Sequence, residues 1–277
     1  MKPFCFADGQ IIESKNAIIH PMDLGIIRGY GIFDFFRSVN YKPLFLDHYL
    51  DRFMSSAEKT FLPMPYSRED LKQIISDLTD KNDMEQGGFR MVLSGGLSDN
   101  HFSPADGKLF IFPEELLFPS EEKYNNGIKL LSLEYVRPIA EIKTTNYALA
   151  VWDSIRWKKE GAEDVLYHLN GQVSESSRSN FYIVKDGVLI TPDQNILLGI
   201  TRKHVLQLAD KVEIRPLSME ETLAADEAFI SSTTKVLLPV TQIDDHTIGT
   251  GKPGPITLDI LEKFRALEKQ MTSSKVL

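Results

Sequence analysis

The stretch IKTTNYALAVWDSIRWKKEGAEDVLYHLNGQVSESSRSN, residues 142–180, decides the fold. Lys143 ends a short mixed segment, and Tyr147–Glu160 reads as a helix closed by Gly161. Two strand-like runs, Asp164–Leu169 and Gln172–Ser174, are joined by Asn170-Gly171, a pair that marks a tight hairpin because both turn residues need positive φ. Glu175 follows directly, among the hydroxyls of Ser174, Ser176, Ser177 and Ser179 and the amide of Asn180. A carboxylate among several donors stays ionised and keeps a fixed aim. A lysine and an aimed carboxylate linked by a hairpin are the parts of a Schiff-base cofactor site. Spacing alone fits a surface lysine and a solvated glutamate better, so the rest of the chain has to decide.

At 277 residues the chain is long for one core, which argues for two domains. Hydrophobic content of 42% and charged content of 25% are those of an ordinary soluble globular protein. A net charge of −8 and a pI near 5.3 leave no basic face for nucleic acid or an anionic membrane. Cys5 is the only cysteine, so no intrachain disulfide can form, which fits a reducing cytoplasm. The segment MKPFCFADGQ lacks a signal-peptide core, and no apolar run approaches ~20 residues. These features point to a soluble, cytoplasmic, acidic protein. His20, His48, His168, His204 and His246 show no metal-ligand spacing, so no metal is expected.

Residues 4–19 read as strands broken at Asp8-Gly9. Leu24–Val39 reads as a glycine-bearing loop containing Arg28 that enters a strand near Gly31. Leu46, Tyr49, Leu50, Phe53, Met54 and Ala57 recur at helical spacing, giving a helix over Leu46–Phe61 with Asp47 as its N-cap. Pro63-Met64-Pro65 ends it, and Ser67 caps a second helix, Arg68–Asp80. In the strand Gly87–Ser94, Arg90 shares a face with Gly88 and Val92; such an arginine is on a wet face or aimed at an anion. A loop with Asp99 and His101 precedes the strand Lys108–Phe112, and the prolines of 113–120 mark a domain boundary near residue 118. The domains expected are therefore 1–118 and 119–277. A second hairpin follows, Phe181–Val184 and Val188–Thr191 about Lys185-Asp186-Gly187. The run Asn195-Ile-Leu-Leu-Gly-Ile-Thr-Arg202 leads into a helix over Lys203–Asp210, where a glycine and a threonine at a helix start offer free N–H groups to an anion. Ser231-Ser-Thr-Thr234, between two apolar strands, is a second hydroxyl-rich turn suited to the opposite wall of a phosphate site. A Gly/Pro loop, Gly249–Pro255, precedes a terminal helix from Thr257 to about Met271.

Five motifs in this order carry a family resemblance: Lys143-Thr-Thr-Asn-Tyr147, Glu175-x4-Asn180-Phe-Tyr, Leu198-Gly-Ile-Thr-Arg202, Asp226-Glu-Ala-Phe-Ile and Ser232-Thr233. They resemble the fold-type IV pyridoxal-phosphate aminotransferases, a family that includes branched-chain and D-amino-acid aminotransferases and aminodeoxychorismate lyase. The resemblance implies an α/β, two-domain fold: a small N-terminal α/β domain and a larger C-terminal, β-barrel-like α/β domain, with the site at their interface in a homodimer. It implies pyridoxal 5′-phosphate as cofactor, held by Lys143 as an imine. Glu175 would partner the pyridine nitrogen, Tyr147 would contact the phenolic oxygen, and Leu197 would pack on the ring. Arg52, Ile200, Thr201 and Thr233, with Ser232 beside them, would hold the phosphate. Physical chemistry agrees: an amine in a partly apolar pocket is free to form an imine, and a fixed carboxylate favours the protonated pyridine nitrogen.

The substrate side resembles the D-amino-acid aminotransferases most closely over Phe229–Thr257, including the Gly-Lys-Pro-Gly-Pro loop. The carboxylate trap of that subfamily uses a tyrosine, an arginine and a histidine; this chain has Phe33, Asp99 and His101 there. The strand Gly31-Ile-Phe-Asp-Phe-Phe-Arg37 looks instead like that of the branched-chain enzymes. An α-carboxylate still needs a cation, and the candidates are Arg28, Arg37, Arg90 and Arg178, with Arg28 and Arg90 as replacements for the trap. The expected activity is ping-pong transfer of an amino group from a D-amino acid of the D-alanine or D-glutamate type to a 2-keto acid. An L-branched-chain aminotransferase and an aminodeoxychorismate lyase are the alternatives.

Overall fold

The computed structural model describes residues 2–7 and 9–273. The chain forms two compact units: Met1–Leu117, Ile142–Tyr147 and Thr272–Leu277 make the first, Phe118–Glu141 and Ala148–Met271 the second. A single break at residue 118 would assign Lys143 to the second unit; its segment packs instead with the first.

In the first unit, β1 (Phe4–Ala7) and β2 (Gln10–Glu13) form a hairpin whose break includes Asp8, which lies outside the described residues. The loop expected from Leu24 begins with a short helix, α1 (Leu24–Ile27), capped by the Asp23 carboxylate. Next come β3 (Gly31–Val39), β4 (Lys42–Pro43), α2 (Leu46–Lys59), α3 (Arg68–Lys81), β5 (Gln86–Ser94) and β6 (Leu109–Glu114). The strands make a six-stranded sheet in the order β2-β1-β6-β5-β3-β4. Its pairs are antiparallel.

Asp47 is not the cap of α2. Phe45, in a left-handed conformation at φ +56°, occupies that position without a side-chain bond. Asp47 stands in the first turn, where a carboxylate favours the helix dipole, and pairs with Lys72 at 2.6 Å. Ser67 does cap α3, in a capping box with Asp70. The period-two pattern of β3 buries Ile32, Asp34, Phe36 and Ser38, and leaves Phe33 and Phe35 half-buried on the other face. Phe36 stacks on Phe89 at 5.3 Å, and Leu50, Phe53, Leu71, Ile75 and Leu78 of the two helices complete this core.

Ile142–Tyr147 joins the unit by main-chain bonds. Phe33 N–H donates to the Lys143 carbonyl and Thr145 N–H to the Gly31 carbonyl, each at 2.9 Å. Thr144 bridges Ile32.

The second unit contains α4 (Glu121–Asn126), β7 (Ile128–Glu134), α5 (Ala148–Lys159), β8 (Asp164–Leu169), β9 (Gln172–Ser176), β10 (Ser179–Lys185) and β11 (Val188–Thr191). It continues with α6 (Ile200–Leu208), β12 (Val212–Ile214), α7 (Met219–Leu223), β13 (Glu227–Ser232), β14 (Val236–Ile243), β15 (His246–Thr247) and α8 (Pro255–Ser273). β10-β13-β14-β7-β8-β9 pair in that order and β9 returns to β10, closing a barrel that leaves no open edge among these strands. β14, β7 and β8 run parallel, and α5 lies on the crossover from β7 to β8.

Both turns read from the sequence form as hairpins, with φ of +50° and +75° at Asn170-Gly171 and +49° and +76° at Asp186-Gly187. β9 extends two residues past Ser174, so Glu175 lies on the strand, opposite Asn180, and not just beyond it. The strand continues because β10 pairs with its last residues, Glu175 with Asn180 and Ser176 with Ser179, while Ser174 Oγ donates to the Tyr167 carbonyl at 3.2 Å. α6 starts at Ile200, three residues before the Lys203 expected, with Gly199 as its N-cap. Among the described residues no helix is long and apolar enough to cross a membrane.

Candidate active site

In the first unit, the β3 face away from the helices carries the candidate groups. Lys143 Nζ lies 4.6 Å from the centre of the Phe33 ring and has no ion pair among the described residues. Tyr147 meets the same ring edge-to-face at 5.7 Å. Arg90, directly opposite Phe35 in the ladder, rests over Phe33 and Phe35 at 5.5 and 5.0 Å. It is also paired with Glu114 at 2.6 Å, so the arginine on the wet face is already partly compensated. Asp34, on the buried face, takes Arg52 of α2 by two prongs, Nε to Oδ2 at 2.9 Å and Nη2 to Oδ1 at 2.7 Å. Burial works against the Arg52 charge; Asp34 overrides it and holds the guanidinium protonated more firmly than usual.

In the second unit, Glu175 is 3% exposed and receives N–H donors on both oxygens. Arg137 Nε donates at 2.7 Å and the Leu197 N–H at 2.9 Å. Arg137 Nη2 also donates to the Ala140 carbonyl at 2.6 Å. The Leu197 carbonyl accepts from Asn180 Nδ2 at 2.7 Å, so the loop before α6 is tied to β10. A Cβ at Gly199 would collide with Asn180 Oδ1, which explains why the N-cap is a glycine. Ile200 and Thr201 are buried in the first turn of α6, whose N-cap carries no side-chain bond. The turn with Ser232 and Thr233 joins β13 to β14 and receives the Lys235 N–H on Ser232 Oγ at 3.3 Å. Val236, a β-branched residue at φ +55°, is strained by about 1–3 kcal/mol. That conformation is held because Lys235 is fastened at both ends: Nζ to Asp164 and Ser179, each at 3.1 Å, and its carbonyl by the Tyr124 hydroxyl at 2.8 Å.

The structure therefore gathers Lys143, Phe33, Tyr147 and Arg90 in one unit, and Glu175 with Leu197 in the other. Arg28, just after α1, is exposed and donates to the Ile27 carbonyl at 3.0 Å. His101, at φ +56° in its loop, and Arg178 are exposed as well. Sequence reasoning did not single out Asp34, Arg137, Lys235 or Asp164. Arg137 is 38 residues from Glu175 and Lys235 is 71 from Asp164, so no local spacing links them.

A family profile for amino-transferase class IV matches residues 31–243. A D-alanine aminotransferase of Listeria monocytogenes serotype 4b (strain F2365) is 32% identical over 274 residues, covering 93% of each chain. A putative branched-chain-amino-acid aminotransferase of Methanocaldococcus jannaschii is 28% identical over 94% of each chain. Among solved structures, the branched-chain amino acid aminotransferase from Escherichia coli superposes with a TM-score of 0.88 at 24% identity, covering 99% of this chain and 97% of the other. With a shared α/β fold, a matched profile over most of its length and a lysine, a carboxylate and two hydroxyl-bearing turns in the motifs described, the chain belongs to the class IV aminotransferases.

Proposed function

We propose that this chain is a pyridoxal-phosphate-dependent D-amino-acid transaminase. It takes the amino group of a substrate of the D-alanine or D-glutamate type and passes it to a 2-keto acid in two half-reactions. The observation that carries this reading is the Lys143 amine, half-buried against the Phe33 ring and without an ion pair among the described residues, in a family of aminotransferases.

The residues present fit pyridoxal phosphate. Lys143 offers an uncommitted amine for an imine bond. Glu175 accepts N–H groups from Arg137 and Leu197, so it is an acceptor of the kind a ring N–H needs. Tyr147 would donate to the phenolic oxygen, and Leu197 would pack against the ring. The uncapped first turn of α6, with Ile200 and Thr201, suits a phosphate, as do the hydroxyls of Ser232 and Thr233 and the Arg52 guanidinium. When bound, the cofactor supplies an electron sink that stabilises negative charge at the substrate Cα. Lys143 Nζ would take the proton from the substrate Cα and deliver it to the cofactor carbon on the other side of the shared nitrogen. Glu175, fixed by Arg137 and the Leu197 N–H, would hold the proton of the pyridine nitrogen.

The D-alanine aminotransferase relative and the Gly-Lys-Pro-Gly-Pro loop support the D series. Arg28 and Arg90 anchor the substrate carboxylate in this reading, Arg90 with the prong that Glu114 leaves free, and His101 and Arg178 are secondary contacts. Phe33, where the D-specific trap has a tyrosine, together with Arg37 on the same strand, favours the L-branched-chain aminotransferase as second reading, along with the Methanocaldococcus jannaschii relative. The working form is a homodimer, to be checked by light scattering against the 31.4 kDa chain.

The test is an absorbance spectrum of the purified protein, followed by D-alanine, D-glutamate and L-leucine in separate samples. A visible band that disappears with the D-amino acids alone is expected, and it should be missing altogether from Lys143→Ala. Conversion by L-leucine alone would transfer the assignment to the branched-chain enzymes. Turnover of an aminodeoxychorismate substrate with no keto acid added would assign a lyase.

A further inference from the structure

Arg202 is the third residue of α6 and is 6% exposed. Its Nη2 donates to the Pro192 carbonyl at 3.0 Å, and its buried Nε has no hydrogen-bond partner. No carboxylate pairs with it among the described residues; neighbouring Asp193 is exposed to solvent. Burial accordingly pulls its proton affinity below the usual range, against a weaker opposite pull from Tyr182 and Asp193. Of the arginines around the candidate site, Arg52 has Asp34, Arg90 has Glu114 and Arg137 has Glu175 close by, while Arg28 and Arg178 stand in solvent. A buried cation without a counter-charge is unfavourable, and proteins keep one where an anion arrives to neutralise it.

The position of Arg202 says which anion. It sits in the first turn of a nine-residue helix whose N-cap glycine leaves the backbone N–H groups open, so guanidinium and helix dipole add. Tyr182, close enough to feel the Arg202 charge, hydrogen-bonds Ser231 Oγ at 2.9 Å, the residue before Ser232-Thr233. The two hydroxyl-bearing turns are thus backed by one buried charge. A dianion spanning both turns would use it fully; a neutral hydroxymethyl group would not.

We propose that Arg202 is a positioning residue for the cofactor phosphate, its unpaired charge giving the protein its preference for a phosphorylated pyridoxal over the dephosphorylated one. This rests on the cofactor reading above. Arg202 would act through the potential it sets in the first turn of α6, with no direct bond to the phosphate required.

The test measures the affinity of the apoprotein for pyridoxal phosphate and for pyridoxal by equilibrium dialysis, in the parent, Arg202→Gln and Arg202→Lys. Arg202→Gln should weaken pyridoxal phosphate about tenfold or more and leave pyridoxal within about twofold. Arg202→Lys, which keeps the charge but gives up the planar guanidinium, should hold the phosphate preference within about threefold of the parent. An equal loss of both ligands in Arg202→Gln would make the residue a fold element only and overturn the proposal. So would an unchanged preference. Should Arg202→Gln not fold, loss of the preference in Arg202→Lys overturns it and retention supports it. A parent that binds neither ligand overturns the cofactor reading along with this one; a parent that binds both equally overturns this one alone.

Discussion

Asp164 accepts from Ser177 Oγ at 2.5 Å and from Lys235 Nζ at 3.1 Å, with all three side chains buried. Burial pushes its carboxyl up, but Lys235 and the Ser177 hydroxyl pull harder, and the net displacement is below the ordinary carboxylate range. A carboxyl held lower in the folded state than in the unfolded one stabilises the fold above its unfolded value. That contribution is complete near neutral pH and is lost as the pH falls through the folded value. Replacing Asp164 by Asn would strand the Lys235 charge and cost about 3 kcal/mol near neutral pH. Denaturant unfolding of parent and D164N should show the gap closing under acid; a gap independent of pH would mean that the ionised carboxylate is not its source. The same pair fixes the turn that bears Ser232 and Thr233, so D164N should also loosen phosphate binding.

At the scale of elements, the loop between β11 and α6 is a set of interlocked bonds: Glu175 to the Leu197 N–H, the Leu197 carbonyl to Asn180, Arg202 to Pro192. Gly199→Ala would drive a methyl into Asn180 Oδ1 and destabilise the protein by about 1–3 kcal/mol. Removing the obstacle as well, in Asn180→Ala/Gly199→Ala, should restore part of the loss in thermal denaturation; a single variant as stable as the parent would mean the contact is slack. Much of this level was legible in the sequence. Asn170-Gly171 and Asp186-Gly187 declare their hairpins because few other pairs tolerate positive φ twice. Ser67 declares a helix start for a similarly local reason. The start of α2 was misread because Asp47 is a good cap by type, whereas Phe45 takes the position by its backbone alone. The extent of β9 and the partner of Glu175 were hidden for a different cause. A run of serines carries no strand signal of its own, and Arg137 lies 38 residues from Glu175 in the sequence.

At the scale of the molecule, each unit has its own core, and the order of the chain does not follow the division. Residues 118–141 belong to the second unit, 142–147 to the first and 148 onward to the second again. A fragment over 119–277 would contain Lys143 without the β3 strand that its segment pairs with. We expect that fragment to give no visible cofactor band, and the band to return when a fragment over 1–118 is supplied in the same tube. A band from 119–277 alone would show that Lys143 needs no β3.

That short return of the chain has an evolutionary side. The segment is docked by the carbonyl of Lys143, the N–H of Thr145 and the backbone of Thr144, which are groups common to nearly any sequence. Another sequence at 142–147 could therefore still present its lysine to the same strand in register. Selection on the surrounding side chains is then free to rewrite the substrate while the joint stays constant.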